Sequence, residues 1–224
     1  MRAVLSFIIF LSIRSFSKIF YRTEVNFVGN SPKDFKDLRL VMLLNHTSLY
    51  EPLFLSAAPI SFLWQLSNKM VAPGADKTLN RPIVGFFWKL MGPGFISITR
   101  KRDKSWFQFL KAIEDKSIIL IAPEGRMKRK NGLDTNGKPM SVRSGVAEII
   151  EVLTEGNIMI GYSGGLHHVQ HPGDILPRLF KNIKISIEVI AVSDYKKQFS
   201  SEGIQLRKDI VKDLEQRLLK NTPQ

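Results

Sequence analysis

The chain contains no cysteine. That absence excludes a disulfide scaffold, cysteine-based zinc sites and a cysteine acyl-enzyme, so any group transfer must be direct or pass through serine. It is compatible with a reducing compartment such as the cytosol. Acidic residues are scarce as well: 20 Asp and Glu against 33 Lys and Arg leave a net charge of +13. Such an excess calls for an anionic partner, whether nucleic acid, anionic lipid or a phosphorylated substrate. No Pro- or Ser-rich linker and no repeat divides the 224 residues, and 44% hydrophobic content is ample for one core. A single medium-sized domain is expected.

An uninterrupted apolar run long enough for a comfortable membrane span is also lacking. Val4 to Phe20 is rich in Leu, Ile and Phe but is broken by Arg14 and Lys18. Its unbroken part, Ala3 to Ile13, falls short of the roughly 20 residues that a span requires. A signal peptide is the rival reading, since Arg2 precedes a short apolar core, but no Ala-x-Ala cleavage site follows. An ordinary buried helix is the plainer alternative, although its bulk and terminal position leave few neighbours to cover it. The favoured expectation is an interfacial helix over residues 1–22, with its cations at the headgroups of an anionic leaflet, followed by one domain over 23–224.

What is present begins at the end of the apolar run Arg39 to Leu44. There Asn45-His46-Thr47-Ser48-Leu49-Tyr50-Glu51-Pro52 sets an imidazole five residues before a carboxylate. If a turn starts near Thr47 or Ser48, Glu51 can reach back to the ring and fix its tautomer, leaving the other nitrogen to take a proton. About seventy residues on, the apolar run Ser117 to Ala122 leads into Pro123-Glu124-Gly125-Arg126. Gly125 permits close backbone approach, and Arg126 offers a planar fork for phosphate or carboxylate. Between the two, Gly94 to Thr99 ends in Arg100-Lys101-Arg102. Three strands that end in polar chemistry suggest one shared site at one edge of a sheet.

These three blocks, in this order and at these separations, resemble the glycerolipid acyltransferase family that includes the lysophosphatidic acid acyltransferases. The resemblance spans roughly Val41 to Gly145. It implies that His46 is a general base for the acceptor hydroxyl and that Glu51 orients it. It also implies that Arg100 and Arg126 bind the acceptor phosphate, with Glu124 and Gly125 shaping the substrate pocket. The implied reaction moves an acyl group from acyl-coenzyme A or acyl carrier protein to a lysophospholipid, most simply 1-acylglycerol-3-phosphate. The thioester supplies its own leaving group, so neither metal nor redox cofactor is implied. The implied setting is the cytoplasmic face of a membrane, with anionic lipids as partners and no nucleic acid. The chain departs from the family in having Glu51 where Asp is usual, in lacking the Thr between Gly125 and Arg126, and in replacing the Val-Pro block by Asn157 to Gly165.

Other signals are weaker. Gly161-Tyr162-Ser163-Gly164-Gly165 fits the Gly-x-Ser-x-Gly elbow of serine hydrolases, yet no His follows His171, so a hydrolase would need a rearranged triad with His46. A tight glycine turn in the pocket wall is the simpler reading. His167 and His171 have the spacing of helical metal ligands, but the surrounding Gly and Pro argue for a solvated or substrate-facing loop that includes His168. Asp134-Thr135-Asn136-Gly137 matches part of a calcium loop without its remaining acids and reads as a turn. The basic runs Arg100–Arg102 and Arg126–Lys130 lack interleaved aromatics and any nucleic-acid-binding signature. Phosphate or carrier-protein capture suits them better, with Lys128 to Lys130 also readable as a solvated face.

The pattern of apolar residues predicts strands at Glu24–Val28, Leu40–Leu44, Phe62–Leu66, Phe95–Thr99, Ile118–Ala122, Ile158–Tyr162 and Ile183–Ala191. It predicts helices at Pro52–Ala57, Pro82–Met91, Ser105–Asp115, Val142–Leu153 and Gly203–Lys220, the last as a cover for the core. The fold class is therefore α/β, a single domain with a mixed, central β-sheet flanked by helices and preceded by the interfacial helix. Phe86, Phe87 and Trp88 are candidates for lining an acyl groove.

Overall fold

The computed structural model describes residues 2–32, 35–80, 82, 85, 94–99, 103–171, 174 and 176–224. Helix α1 (Arg2–Phe20) runs straight into strand β1 (Tyr21–Phe27). Then come β2 (Leu38–Leu44), a 3-10 helix (Glu51–Ala57), α2 (Ile60–Lys69), β3 (Met70–Ala75) and the short α3 (Asp76–Leu79). The second half holds β4 (Phe95–Ile98), α4 (Lys104–Lys111), β5 (Ile118–Ile121), α5 (Gly145–Val152), β6 (Asn157–Ser163), β7 (Lys181–Ala191), α6 (Val192–Lys196) and α7 (Gly203–Asn221).

Among the described residues the strands form one seven-stranded sheet in the order β1-β7-β6-β2-β5-β3-β4. Pairs β6/β2, β2/β5, β5/β3 and β3/β4 are parallel, β6/β7 is antiparallel, and β1 runs parallel with β7. Five strands therefore point one way and deliver their C-terminal ends to one edge. Parallel strands covered on both faces need apolar residues at nearly every position. β2 meets that demand: all seven of its residues but Leu43 are buried, Leu40, Met42 and Leu44 completely.

Alternation along β2 divides the core in two. Val41 faces a layer made by α1, the 3-10 helix and α2, where Phe10, Phe54 and Phe62 are buried. Leu40, Met42 and Leu44 face α4 to α7, where Phe109, Ile149, Tyr195 and Leu214 are buried. The stripe expected on the helix near 142–153 is all interior: Val142, Val146, Ile149, Ile150 and Leu153 are at most 5% exposed. Asp103 starts α4 by accepting the Ser105 N–H at 2.9 Å, the usual way to satisfy an orphan amide of a first turn.

One predicted strand is wrong. Phe62–Leu66 lies inside helix α2, whose buried residues Phe62, Leu63, Leu66 and Ser67 recur at helical spacing on one face. A short apolar run does not by itself distinguish the two periods. The strand that fills its place in the sheet is β3, which went unrecognised because it contains Pro73 and Gly74, residues that normally argue against a central strand. The expected helix Pro82–Met91, with Phe86, Phe87 and Trp88, falls almost wholly outside the described residues.

Candidate active site at the carboxyl edge of the sheet

At the end of β2 the chain turns sharply at Asn45, whose φ of 63° is left-handed. Asparagine tolerates that region better than other side chains bearing a Cβ. Its side-chain amide donates to the Ser163 carbonyl at the end of β6, 2.7 Å away. The turn aims two consecutive backbone N–H groups at Glu124 beyond β5. Asn45 N–H donates to Oε1 at 2.9 Å and His46 N–H to Oε2 at 2.8 Å. The Lys128 N–H closes the arrangement by donating to the His46 carbonyl at 2.7 Å.

Glu51, at the start of the 3-10 helix and 8% exposed, holds the histidine from the other side. Its Oε1 accepts the Thr47 N–H at 2.8 Å, and its Oε2 accepts a short hydrogen bond from His46 Nδ1–H. Nε2 has no hydrogen-bond partner among the described residues. Burial alone would push the imidazole pKa down, but the Glu51 charge and hydrogen bond, helped by the Glu124 charge, outweigh it and hold the pKa above the ordinary histidine value. Burial pushes the Glu124 carboxyl up, against the two backbone amides that favour its ionised form.

His46 opens onto a cavity of about 640 Å³. One arm runs between the sheet and the layer of α1, the 3-10 helix and α2, with Phe10, Phe35, Phe62, Leu66, Met70 and Met159 in its walls. The other end lies over the carboxyl edge, beside Gly125, Arg126, Arg143 and Ser144. Gly125 has φ 65° with open space where a Cβ would stand, so glycine here serves the turn's conformation. An apolar arm joined to a polar, cationic mouth suits an amphiphile with an anionic head.

The structure brings together His46, Glu51, Glu124, Gly125 and Arg126 as the sequence suggested, but gives two of them particular duties. Glu124 is 2% exposed, and both its oxygens hold the turn that carries His46, although its atoms also contribute to the cavity wall. Arg126 lines the cavity while its Nη1 forms a close ion pair with Asp134. Asp134 is held at a pKa of about 2, chiefly by the Lys138 N–H, and then by Arg126 and the Asn136 N–H. Arg100 lies outside the described residues, although β4, which precedes it, ends at the same edge.

Two contributors were not foreseen. Asn45 shows its role only through its backbone conformation and its reach to β6. Arg143 stands on the cavity wall, its N–H bonded to the Pro123 carbonyl at 3.0 Å, and its guanidinium has no ion-pair partner among the described residues. No pattern in the surrounding Ser141-Val142-Arg143-Ser144 distinguishes it from a surface arginine.

The competing signals resolve differently. Ser163 is fully buried, is not part of the cavity wall, and its Oγ accepts the Gly165 N–H at 3.0 Å. His167 donates from Nε2 to the Lys128 carbonyl at 2.7 Å, and His168 from Nε2 to the Asn182 carbonyl at 2.6 Å. His167 and His171 stack with ring centroids 6.4 Å apart. Among the described residues no group of three His, Cys, Asp or Glu side chains is placed to share a metal ion.

A model of the acyltransferase family matches residues 22–161. No curated protein sequence matches. The fold is similar to the crystal structure of the 1-acyl-sn-glycerophosphate (LPA) acyltransferase PlsC from Thermotoga maritima, with a TM-score of 0.54 and 16% identity, over 96% of this chain and 81% of that one. At that identity the likeness speaks for the fold, whereas the family model covers more than half of the sequence and includes the histidine turn, the Pro-Glu-Gly turn and the strands that carry them. The chain belongs to the acyltransferase family and is an acyltransferase.

Proposed function

We propose that this acyltransferase moves a fatty acyl group from a thioester, acyl-coenzyme A or acyl carrier protein, to the hydroxyl of a lysophospholipid, with 1-acylglycerol-3-phosphate as the first acceptor to test. The observation that carries the reading is the placement of His46. Its Nδ1 is engaged by Glu51, and the residue lines a cavity with an apolar arm and an arginine-bearing mouth.

The acyl chain occupies the arm beneath α1 and α2, and the anionic head of the acceptor meets Arg126 and Arg143, with Arg100 as a third candidate. His46 Nε2 takes the proton of the acceptor hydroxyl as its oxygen attacks the thioester carbonyl. Glu51 stabilises the imidazolium. A C–O bond forms, the C–S bond breaks, and the proton passes from the imidazolium to the departing sulfur. No metal or redox cofactor enters this sequence of steps.

The lysophospholipid acceptor is a membrane component, so the enzyme must reach a bilayer. Helix α1 is long and apolar enough to cross a bilayer by length and composition, yet it packs along the 3-10 helix and α2, with Phe10 interior and Arg14 donating to the Ala58 carbonyl at 2.9 Å. Its outward side shows Leu5, Ile8 and Ile19, continued by Ile60 and Trp64 of α2 and by Phe180. An apolar face on a packed helix with basic residues nearby suits insertion into the interface of the cytoplasmic leaflet, in keeping with the excess of positive charge.

The test is transfer from radiolabelled acyl-coenzyme A or acyl carrier protein to a panel of lysolipids in vesicles, with His46→Ala beside the wild type. Acylation of one acceptor, lost in the variant, is the expected result. Undiminished turnover by His46→Ala sinks the mechanism, and release of free fatty acid alone returns the hydrolase.

A further inference from the structure

A second, smaller pocket of about 220 Å³ lies beside the histidine turn, apart from the acyl cavity. Asn45 and Thr47 line this pocket, whereas His46 between them lines the acyl cavity, so one turn separates the two. Its cations come from consecutive residues, Lys128, Arg129 and Lys130. No carboxylate is among the residues that line it. Among the described residues Arg129 and Lys130 are exposed and form no ion pair, and the Lys128 ammonium donates to the neutral Asn45 Oδ1, at 3.3 Å, and is in no ion pair. Gly132, Gly164 and Gly165 also line it, and glycine lets a bulky anion approach the backbone closely.

The loop is also tied to the catalytic turn. The Lys128 N–H donates to the His46 carbonyl, and the Lys128 carbonyl accepts from His167 Nε2, both at 2.7 Å. A ligand held here is therefore held at a fixed distance from His46. Three cations without a counter-charge, in a concave site, select a phosphate.

Substrate dimensions decide which phosphate. In a glycerol phosphate the reacting hydroxyl and the phosphorus are a few bonds apart, so an acceptor whose hydroxyl lies in the cavity that His46 lines can place its phosphate at that cavity's own mouth, beside Arg126 and Arg143. In a phosphopantetheine thioester the whole pantetheine arm separates the reacting sulfur from its phosphate, long enough to pass over the turn from one pocket to the other. We propose that the Lys128-Arg129-Lys130 pocket binds the phosphate of the phosphopantetheine arm of the acyl donor. The inference rests on the acyl-transfer reading above and assigns it a donor-side anchor.

The experiment compares the wild type with R129A/K130A, in vesicles of neutral lipid so that loss of membrane attraction does not intrude. Initial rates are taken with acyl-coenzyme A, with the truncated donor acyl-pantetheine that has no phosphate, and with the lysolipid varied in turn. Loss of two charge-assisted contacts is expected to raise KM for acyl-coenzyme A roughly tenfold or more. KM for the lysolipid and KM for acyl-pantetheine are expected to match those of the wild type. An active wild type whose donor KM is unchanged in the variant overturns the proposal, as does a rise confined to the lysolipid, or one equally large with acyl-pantetheine. A wild type that transfers no acyl group from either donor removes the acyl-transfer reading itself, a result distinct from all of these.

Discussion

Glu124 accepts the backbone N–H of His46 on one carboxylate oxygen and that of Asn45 on the other, at 2.8 and 2.9 Å. A buried carboxylate from the end of β5 thereby fixes the turn at the end of β2, and the imidazole inherits its position from that bond pair. The family resemblance assigns this glutamate to substrate binding, and the two roles have different kinetic signatures. Glu124→Ala leaves two buried amides without acceptors, each costing about 1–3 kcal/mol. A marked fall in Tm and a loss of kcat on the order of 100-fold are expected, since small misplacements of reacting groups are costly, with the acceptor KM little changed. A variant that keeps its Tm and kcat but raises the acceptor KM would return Glu124 to the substrate.

In the proposed mechanism the charge of Glu51 sets the pH at which His46 works. As the folded-state pKa of His46 lies above the ordinary histidine value, the neutral base accumulates only as pH rises through that raised value. The acidic limb of kcat is expected there. The sign for stability is opposite: the protonated ring paired with Glu51 stabilises the fold fully below the unfolded histidine pKa, and this contribution is lost as pH rises through the folded one. In Glu51→Gln the opposing effect of burial remains while the main charge is gone. The limb should move to lower pH, with kcat reduced on the order of 100-fold. A pH profile of unchanged midpoint would show that Glu51 does not tune the imidazole.

The apolar arm should measure the acyl chain. Ala72 is 2% exposed and lines it, so Ala72→Leu extends a side chain into the space rather than replacing a filled position. Each methylene excluded from the arm forfeits about 0.8 kcal/mol. Donor preference, read as the ratio of kcat/KM for long over short acyl chains, should fall several-fold in the variant while the overall fold persists by circular dichroism. An unchanged ratio would place the acyl chain elsewhere.

Much of this site is legible in the sequence, because its chemistry sits at strand ends. Buried parallel strands betray themselves as apolar runs, and β2, β5 and β6 are legible on that signal, while β1, β4 and β7 lie close to their expected bounds. The polar residues just after β2 and β5 then had to share an edge if the strands were parallel, which brought His46 to Glu124. What escaped recognition depended on tertiary context. Met70–Ala75 pairs with β4 and β5 in spite of Pro73 and Gly74, and Phe62–Leu66 is helical because one face of α2 packs on the core. The detailed use of Glu124 followed from the left-handed backbone of Asn45, a conformation with no distinguishing mark in the sequence. Arg143 owes its place to the Pro123 carbonyl that holds its backbone.

Ser163 offers a clean discrimination between transfer and a serine hydrolase. Its hydroxyl is inaccessible and serves the turn through the Gly165 N–H. Ser163→Ala is expected to retain acyl transfer within about two-fold and to lose about 1 kcal/mol of stability for the missing hydrogen bond. A fluorophosphonate probe should not label the wild-type protein. Abolished activity together with probe labelling would establish the serine as nucleophile.

Membrane attachment should depend on the outward face of α1 more than on its buried side. Ile8 and Ile19 are 53% and 70% exposed, so their replacement by glutamate leaves the protein core as it is and removes two apolar groups from the surface proposed to enter the lipid. A side chain of this size moved from water to an apolar phase contributes about 1.5–3 kcal/mol, hence each change should weaken partitioning roughly tenfold or more. Cosedimentation with neutral vesicles isolates this apolar contribution, and repeating it with anionic lipid adds the attraction of the basic surface, which must fall as salt is raised. If Ile8→Glu/Ile19→Glu sediments with neutral vesicles as the wild type does, the face is not the one that meets the bilayer. If binding to neutral lipid is lost while salt-sensitive binding to anionic lipid persists, then apolar insertion and charge act as two separable anchors, the first carried by α1 and the second by the basic surface of the domain.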